Sequence, residues 1–459
     1  MRIKRFIILS LIIILVFPHK CMASDTYNIQ ALIDEFEDGT GCKSVSVVIY
    51  DHGNISYYGD KDGLYQIGSM TKSFTGLAAV KLINEGKLSE DDKVSDYISG
   101  FEVFFESQKV DITVGQLLSQ TSGFTNSEKD YPSAAEEMTL QDWAMTMSGK
   151  ELKSAPGTEY NYSNVNYNLL GAIIENVSGM TYREYMEKEI LDPIGMKRTF
   201  VGYPDASGVQ VIEGARLAYR RAVDYEISVK EGRIPAGYFY SNTEDMAKWM
   251  SAWMNTDDIS EEFRGPSEYI IGSLAKQGGY FAGWERFSDD VIGHSGGTPN
   301  YSSRIVISKK DGIAVCVLTN LNVAASTDSL CNTLYAVVSG KEAGPITKDV
   351  WTVFDIVFSL ISVILIGLFI VLLNVKNRKI LLGIGVLLII LLVLVLSVFP
   401  AIFGAALTEI LLVWAPWSMT GSLILLMVNI LLIIIKQVLG GAKLTLSSAA
   451  RLRTVPTEK

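Results

Sequence analysis

The stretch Gln66-Ile67-Gly68-Ser69-Met70-Thr71-Lys72-Ser73-Phe74-Thr75-Gly76 decides how this chain is read. It sets a hydroxyl and an amine three residues apart at the head of an apolar run, Leu77 to Ile83. The run predicts a helix from Ser69 to Asn84. On a helix, residues i and i+3 share a face, so Lys72 reaches the Ser69 oxygen. A serine needs a nearby base to become a nucleophile. A lysine shielded from water can be that base, because desolvation lowers its pKa. Alone, S-x-x-K arises by chance in many helices, as a capping serine followed by a solvated lysine. Two further motifs give it weight.

The second is Tyr162-Ser163-Asn164, inside the Tyr- and Asn-rich segment Pro156 to Tyr167. The third is His294-Ser295-Gly296-Gly297, followed by a strand-like segment, Ser303 to Ile307. Each is an ordinary turn when taken alone, since Asn and Gly favour turns. The order S-x-x-K, Y-x-N, [KH]-[ST]-G is far more specific. Together the three resemble the serine β-lactamase and penicillin-binding protein superfamily, in particular its class C-like branch of D,D-peptidases and esterases. Ile112 to Phe124, Leu191-Asp192-Pro193-Ile194-Gly195-Met196 and Pro235 to Lys248 resemble further family segments. The resemblance runs from about residue 29 to about residue 340.

The resemblance implies an α/β fold: a β-lactamase-like antiparallel sheet flanked by helices, plus an all-helical lobe. The sheet would pack on a terminal helix near Leu330 to Val338, and the site would lie between sheet edge and lobe. It implies Ser69 as nucleophile, with Lys72 taking or relaying its proton and keeping Tyr162 acidic. Tyr162 would carry the proton to the leaving group, and Asn164 would orient Lys72 and the substrate amide. His294, Ser295, Gly296 and Gly297 would line the opposite wall. The N–H groups of Ser69 and Gly297 would form the oxyanion hole. Two departures matter. Many relatives have a histidine where this chain has Gln120. The third motif opens with His294 rather than lysine, as in the peptidase and esterase members, which argues against antibiotic hydrolysis.

Composition sets other bounds. The chain has 459 residues, a hydrophobic fraction of 48% and a mean hydropathy of +0.24. Residues 1–23 read as a signal peptide: Arg2, Lys4 and Arg5, then an apolar core, then small residues around Ala23. Residues 24–340 read as the hydrolase domain. Three membrane spans are expected within 351–435, at about 351–373, 380–400 and 410–435, each near the roughly 20 apolar residues a bilayer needs. Pro416 is expected to kink the third. Residues 436–459 form a tail. Lys376, Arg378 and Lys379 lie in the first loop, and Lys436, Lys443, Arg451 and Arg453 in the tail. By the positive-inside rule both are cytoplasmic, which puts the hydrolase domain outside the cell membrane.

The formal charge is −10, and it is concentrated: residues 24–345 alone carry −19. Such a surface excludes nucleic acid as a partner, since that needs a basic face. Three histidines, none with ligand-like neighbours at zinc spacing, give no metal site, and no cofactor is called for. Beyond the signal, Cys42, Cys316 and Cys331 remain. Cys316 reads as a buried thiol, and a Cys42–Cys331 bridge is open in an oxidising compartment. Smaller signals are an Asp311-Gly312 hairpin turn, a helix from Tyr167 to Val177, and a Ser241/Glu244 capping box.

The expected partners are a peptide or ester small-molecule substrate and the lipid bilayer. The three-span architecture resembles membrane-bound peptidases that mature peptide prodrugs by removing an N-acyl-D-asparagine leader. The expected function is therefore an extracytoplasmic serine hydrolase acting through an acyl-serine on a D-amino-acid-containing peptide, amide or ester. A peptide prodrug or a cell-wall peptide would fit. The alternative is a slowly deacylating penicillin-binding receptor or sensor.

Overall fold

Val45-Ser46-Val47-Val48-Ile49-Tyr50 is rich in β-branched residues and nearly all apolar, the pattern of a strand covered on both faces. It forms strand β1 (Val45–Asp51), whose first six residues are all buried. The structure is a computed structural model and describes residues 28–126, 138–204, 208–254, 261–277 and 279–452. The signal-like segment 1–23, with Cys21 and His19, lies outside the described residues.

β1 belongs to a seven-stranded antiparallel sheet. Its other strands are β2 (Asn54–Tyr58), β3 (Tyr280–Phe281), β4 (Trp284–Ser288), β5 (Val291–Thr298), β6 (Tyr301–Ser308) and β7 (Ile313–Thr319). The order across the sheet is β3-β4-β5-β6-β7-β1-β2. Strands far apart in sequence, β1 and β7, pair in it, with Val48 opposite Cys316. The Asp-Gly turn joins β6 to β7 as expected, with Gly312 at φ 68°.

Successive side chains leave a strand on opposite faces, and each face has its own core. Val45, Val47, Ile49, Val315 and Val317 pack with Ile33 and Phe36 of helix α1 (Ile29–Thr40) and with Leu330 and Leu334 near the chain's later end. Val48, Ile305, Ile307, Cys316 and Leu318 pack the other way. Their partners include Phe74 and Leu77 of α2 (Thr71–Asn84), Leu169 and Ile173 of α3 (Asn164–Ser178), and Trp249 and Trp253 of α4 (Thr243–Met254). Leu330 and Leu334 sit on α5 (Ala324–Val338), the expected terminal helix. Each such side chain contributes about 1.5–3 kcal/mol on burial. The helical lobe also holds a small sheet of Val103–Phe105, Gln108–Val110 and Lys150–Glu151.

Helix α2 is buried on every side from Thr71 to Leu82, so it is the central helix. The β3–β4 turn lies directly against it. A Cβ on Gly283 would stand 2.2 Å from the carbonyl carbon of Lys72, at a φ of +81° that side chains avoid.

Some local expectations shift. Ser69 lies in a 3-10 turn, Gly68–Met70, and α2 begins at Thr71. α3 starts at Asn164 because the Ser163 hydroxyl accepts from Val165 N and caps it. The Ser241/Glu244 capping box does not form. Because α4 starts at Thr243, Asn242 is the cap, and its Oδ1 accepts from Asp245 N at 2.9 Å. Ser241 bonds Thr199 instead. All three described cysteines are free and buried: Cys42 donates to Ser44 O and Asn320 Oδ1, and no Cys42–Cys331 bridge is present.

The later part of the chain is a unit of long apolar helices: α6 (Val350–Asn374), α7 (Arg378–Phe403) and α8 (Trp417–Leu452). Three stretches, Val350–Asn374, Arg378–Phe403 and Trp417–Leu439, are long and apolar enough to cross a membrane, with mean hydropathies of 3.2, 3.3 and 2.4. Pro416 does not kink a continuous third helix. Ala415 is extended, with ψ 153°, as a residue before proline prefers, and α8 starts afresh at Trp417.

Candidate active site

The sequence around Ser69 folds as a tight turn feeding a buried helix, and glycine makes this possible. Gly68 has φ +52°, and a Cβ there would lie 2.6 Å from Gly297 N. A Cβ on Gly296 would meet Ile67 O at 2.1 Å. The backbones of the first and third motifs therefore run against each other, with Ser303 Oγ holding Ile67 O at 2.7 Å. This brings the backbone of Gly68, next to Ser69, against the amide of Gly297.

Lys72 is fully buried, while Ser69 stays partly exposed. The Lys72 Nζ has three neighbours: Ser69 Oγ at 2.9 Å, Asn164 Oδ1 at 2.7 Å and Ala236 O at 2.6 Å. Burial holds its pKa well below the usual lysine range. A neutral amine has two N–H bonds and one lone pair. Asn164 Oδ1 and Ala236 O can only accept, so they take both N–H bonds. In the structure Nζ donates to Ser69 Oγ as well; an amine that has given up its third proton would present a lone pair to that hydroxyl instead. That is the hydrogen-bond arrangement of a general base and its nucleophile.

The Tyr162 ring lies beside this pair, its centroid 4.9 Å from Nζ. Burial pushes the Tyr162 phenol well above its ordinary range, against an opposing hydrogen bond to Ser69. The expectation that Lys72 keeps Tyr162 acidic is not met: burial is the largest influence on the phenol and drives it up. Tyr162 rests protonated.

His294 is 2% exposed. Its Nδ1 lies 2.6 Å from Ser295 O, so Nδ1–H donates there and Nε2 faces Tyr280 Oη at 3.3 Å. Burial, then the nearby Lys72, brings its pKa down to about 3, so it is neutral. It does not supply the cation that lysine would at this position. Ser295 Oγ accepts from Arg304 Nη1 at 2.5 Å across the β5–β6 pair.

The structure thus brings Ser69, Lys72, Tyr162, Asn164 and the His294–Gly297 strand together. It also gives roles to residues outside the three motifs, among them Gln120, which stood out in the sequence only as a departure. Asn168 Oδ1 accepts from Ala236 N at 3.0 Å and so sets the carbonyl that holds Lys72. Gln120, wholly buried at φ 59°, accepts from Ser163 N at 3.0 Å and Asn166 Nδ2 at 2.5 Å, while its own carbonyl accepts from Asn161 N at 2.8 Å. It grips the Tyr162 loop from both flanks. Its positive φ is a backbone signal that sequence does not print. Arg304 lay in the strand predicted after the third motif, and its spacing from Ser295 becomes visible only through strand register.

Among known proteins, Protein flp of Staphylococcus aureus (strain MW2) is 33% identical over 263 residues, covering 56% of this chain and 53% of flp. The chain therefore spans about half the length of these curated relatives. A protein named D-alanyl-D-alanine-carboxypeptidase/endopeptidase AmpH, from Escherichia coli (strain K12), is 26% identical over 249 residues, covering 49% of this chain and 62% of AmpH. The octameric penicillin-binding protein homologue from Pyrococcus abyssi shares the fold, with a TM-score of 0.59 and 24% identity over 72% of this chain and 80% of that one. The Beta-lactamase family profile matches residues 29–339, the span that holds both cores and all three motifs, and the chain belongs to that family.

Proposed function

We propose that this chain is a membrane-held, extracytoplasmic serine hydrolase working through an acyl-serine intermediate. Its substrate is an amide or ester next to a D-residue, in a peptide prodrug or cell-wall peptide. The observation that carries this reading is the Lys72 amine, buried, held well below the usual lysine range and 2.9 Å from Ser69 Oγ. The name of the AmpH relative supports a D-residue beside the scissile bond.

In this mechanism Lys72 removes the Ser69 proton as Oγ attacks the substrate carbonyl. The Ser69 and Gly297 N–H groups stabilise the oxyanion, a contribution of roughly 3–4 kcal/mol in comparable sites. Tyr162, resting protonated, gives its proton to the departing nitrogen or oxygen and regains one by way of Lys72. Water then attacks the acyl-serine by the reverse relay. Asn164 keeps Lys72 aimed and leaves its amide N–H₂ for the substrate.

The test is labelling of membranes with a fluorescent fluorophosphonate. The protein is expected to label, Ser69→Ala is not, and D-amino-acyl amides are expected to compete. Full labelling of Ser69→Ala would end this reading. Labelling that persists without turnover would point instead to a slowly deacylating receptor.

A further inference from the structure

Tyr280 lies in none of the three motifs, yet it packs against two of them. Its strand, β3, is two residues long and is joined to β4 by Ala282 and Gly283. Both have positive φ, 48° and 81°, the geometry of a two-residue hairpin turn. The surroundings fix that turn. A Cβ on Gly76 of α2 would stand 2.2 Å from Ala282 O, just as one on Gly283 would meet Lys72. Ala282 N donates to Leu118 O at 3.0 Å, the carbonyl that also accepts from Tyr167 Oη at 3.2 Å. The strand that carries Tyr280 is therefore held against the helix that carries Lys72.

Tyr280 is buried, and its ring meets the rings around the nucleophile. The Tyr162 centroid is 6.1 Å away at an interplanar angle of 89°, that of Tyr167 6.4 Å away at 85°, and that of His294 5.7 Å away at 72°. These fall within the separations of about 4.5–7 Å that edge-to-face aromatic pairs prefer. His294 in turn lies 6.2 Å from Tyr162, so Tyr162, Tyr280 and His294 close a triangle of rings. A hydrogen bond sets its orientation. His294 Nδ1–H donates to Ser295 O, so Nε2 of the neutral ring can only accept, and Tyr280 Oη donates to it at 3.3 Å. Burial drives the Tyr280 phenol well above its ordinary range, which keeps that proton in place. Tyr162 is thus braced by Tyr280 and His294, with Lys72 Nζ 4.9 Å from its ring centroid.

We propose that Tyr280 is a positioning residue for leaving-group protonation: its ring and hydroxyl hold Tyr162 where the phenol meets the departing atom, and so fit the site to poor leaving groups, those of amides and alkyl esters. This rests on the acyl-transfer reading above. In the step concerned, the Ser69 Oγ–carbon bond forms as the serine proton passes to Lys72. The bond from that carbon to the departing nitrogen or oxygen breaks, and the departing atom takes the Tyr162 proton. The proton held by Lys72 then restores Tyr162. An amine or an alkoxide needs that proton in order to leave, whereas p-nitrophenolate leaves as the anion. The effect of Tyr280 therefore falls on substrates that need the proton.

The experiment uses the full chain in detergent and the p-nitrophenyl, phenyl and methyl esters of acetyl-D-alanine. The quantity compared is kcat/KM, which reports acylation, per active site counted with a fluorophosphonate. Ser69→Ala sets the background. In Tyr280→Leu, kcat/KM is expected to stay within about threefold on the p-nitrophenyl ester and to fall roughly 10- to 100-fold on the methyl ester, with the phenyl ester between. Tyr280→Phe, which keeps the ring and loses the donor, is expected to give a smaller tilt of the same sign. A merely structural loss would move all three esters by one factor. One common factor, or no change, in Tyr280→Leu while hydrolysis stays Ser69-dependent overturns this inference alone. If Tyr280→Leu does not label, Tyr280→Phe decides by the same criterion. Absence of Ser69-dependent hydrolysis of every ester by the unaltered chain overturns the acyl-transfer reading and this inference together.

Discussion

At the scale of single residues, the site depends on one desolvated amine and on groups that hold its surroundings still. Gln120 shows how much rests on such support. Truncating it to alanine removes the acceptor for two buried donors, Ser163 N and Asn166 Nδ2. Each unpaired donor costs about 1–3 kcal/mol. The loosened loop carries Tyr162, so Gln120→Ala is expected to lower kcat by roughly 10- to 100-fold, with a smaller change in KM. Gln120→His, whose ring nitrogen can still accept, is expected to recover much of that loss. Steady-state kinetics on one ester checks both. His294 gives a second prediction. Its folded pKa, about 3, lies below the unfolded value near 6.5. Between those values the unfolded chain binds the extra proton, so this contribution to stability is complete above about pH 6.5 and is lost as pH falls toward 3. Replacing His294 by glutamine is expected to flatten the fall in melting temperature over that window, read by scanning fluorimetry. The motif residues were legible in the sequence because chemistry fixes their types and order. Gln120 stood out only as a departure from the family pattern, and the roles of Asn168, Ala236 and Arg304 were not legible, because each acts through a tertiary contact that spacing along the chain does not encode.

At the scale of elements, the strands and helices were legible wherever hydrophobic period and turn chemistry agreed, as at β1 and the Asp311-Gly312 hairpin. The starts of helices were harder. Ser163 and Asn242 each cap a helix one or more residues away from the expected start, since several polar side chains compete for that position. The apolar helices hold something that hydropathy alone hides. Ser422, Asn429 and Lys436, spaced by seven on α8, donate to Phe358 O, Leu365 O and Leu372 O on α6, also spaced by seven. The constant offset means that the two helices run parallel with one register. A slip by one residue would strand three polar groups in an apolar setting. Asn429 is fully buried in this seam. Asn429→Leu is expected to cost about 0.6–2 kcal/mol, the range measured for such bonds in membranes. It should show as a lower unfolding midpoint in detergent, with Ser69 labelling retained. An unchanged midpoint would mean the seam is held by packing alone.

At the scale of the whole molecule, charge placement is the strongest remaining argument. Residues 24–345 carry −19, while the first loop between the spans holds Lys376, Arg378 and Lys379. Short basic loops stay in the cytoplasm, and on that ground the proposed topology puts residues 24–345 on the far side from Lys376. The three described native thiols help to test this, because all are buried and so should be slow toward a bulky reagent. A cysteine placed at Asp289, whose side chain is 91% exposed, reports on the catalytic part. A cysteine at Lys376 reports on the loop. In intact spheroplasts a membrane-impermeant maleimide is expected to label Asp289→Cys, and Lys376→Cys only after the membrane is opened. The reverse pattern would put Ser69 in the cytoplasm. It would remove cell-wall peptides from the possible substrates. Labelling of both in intact cells would mean that the apolar helices do not separate the two segments.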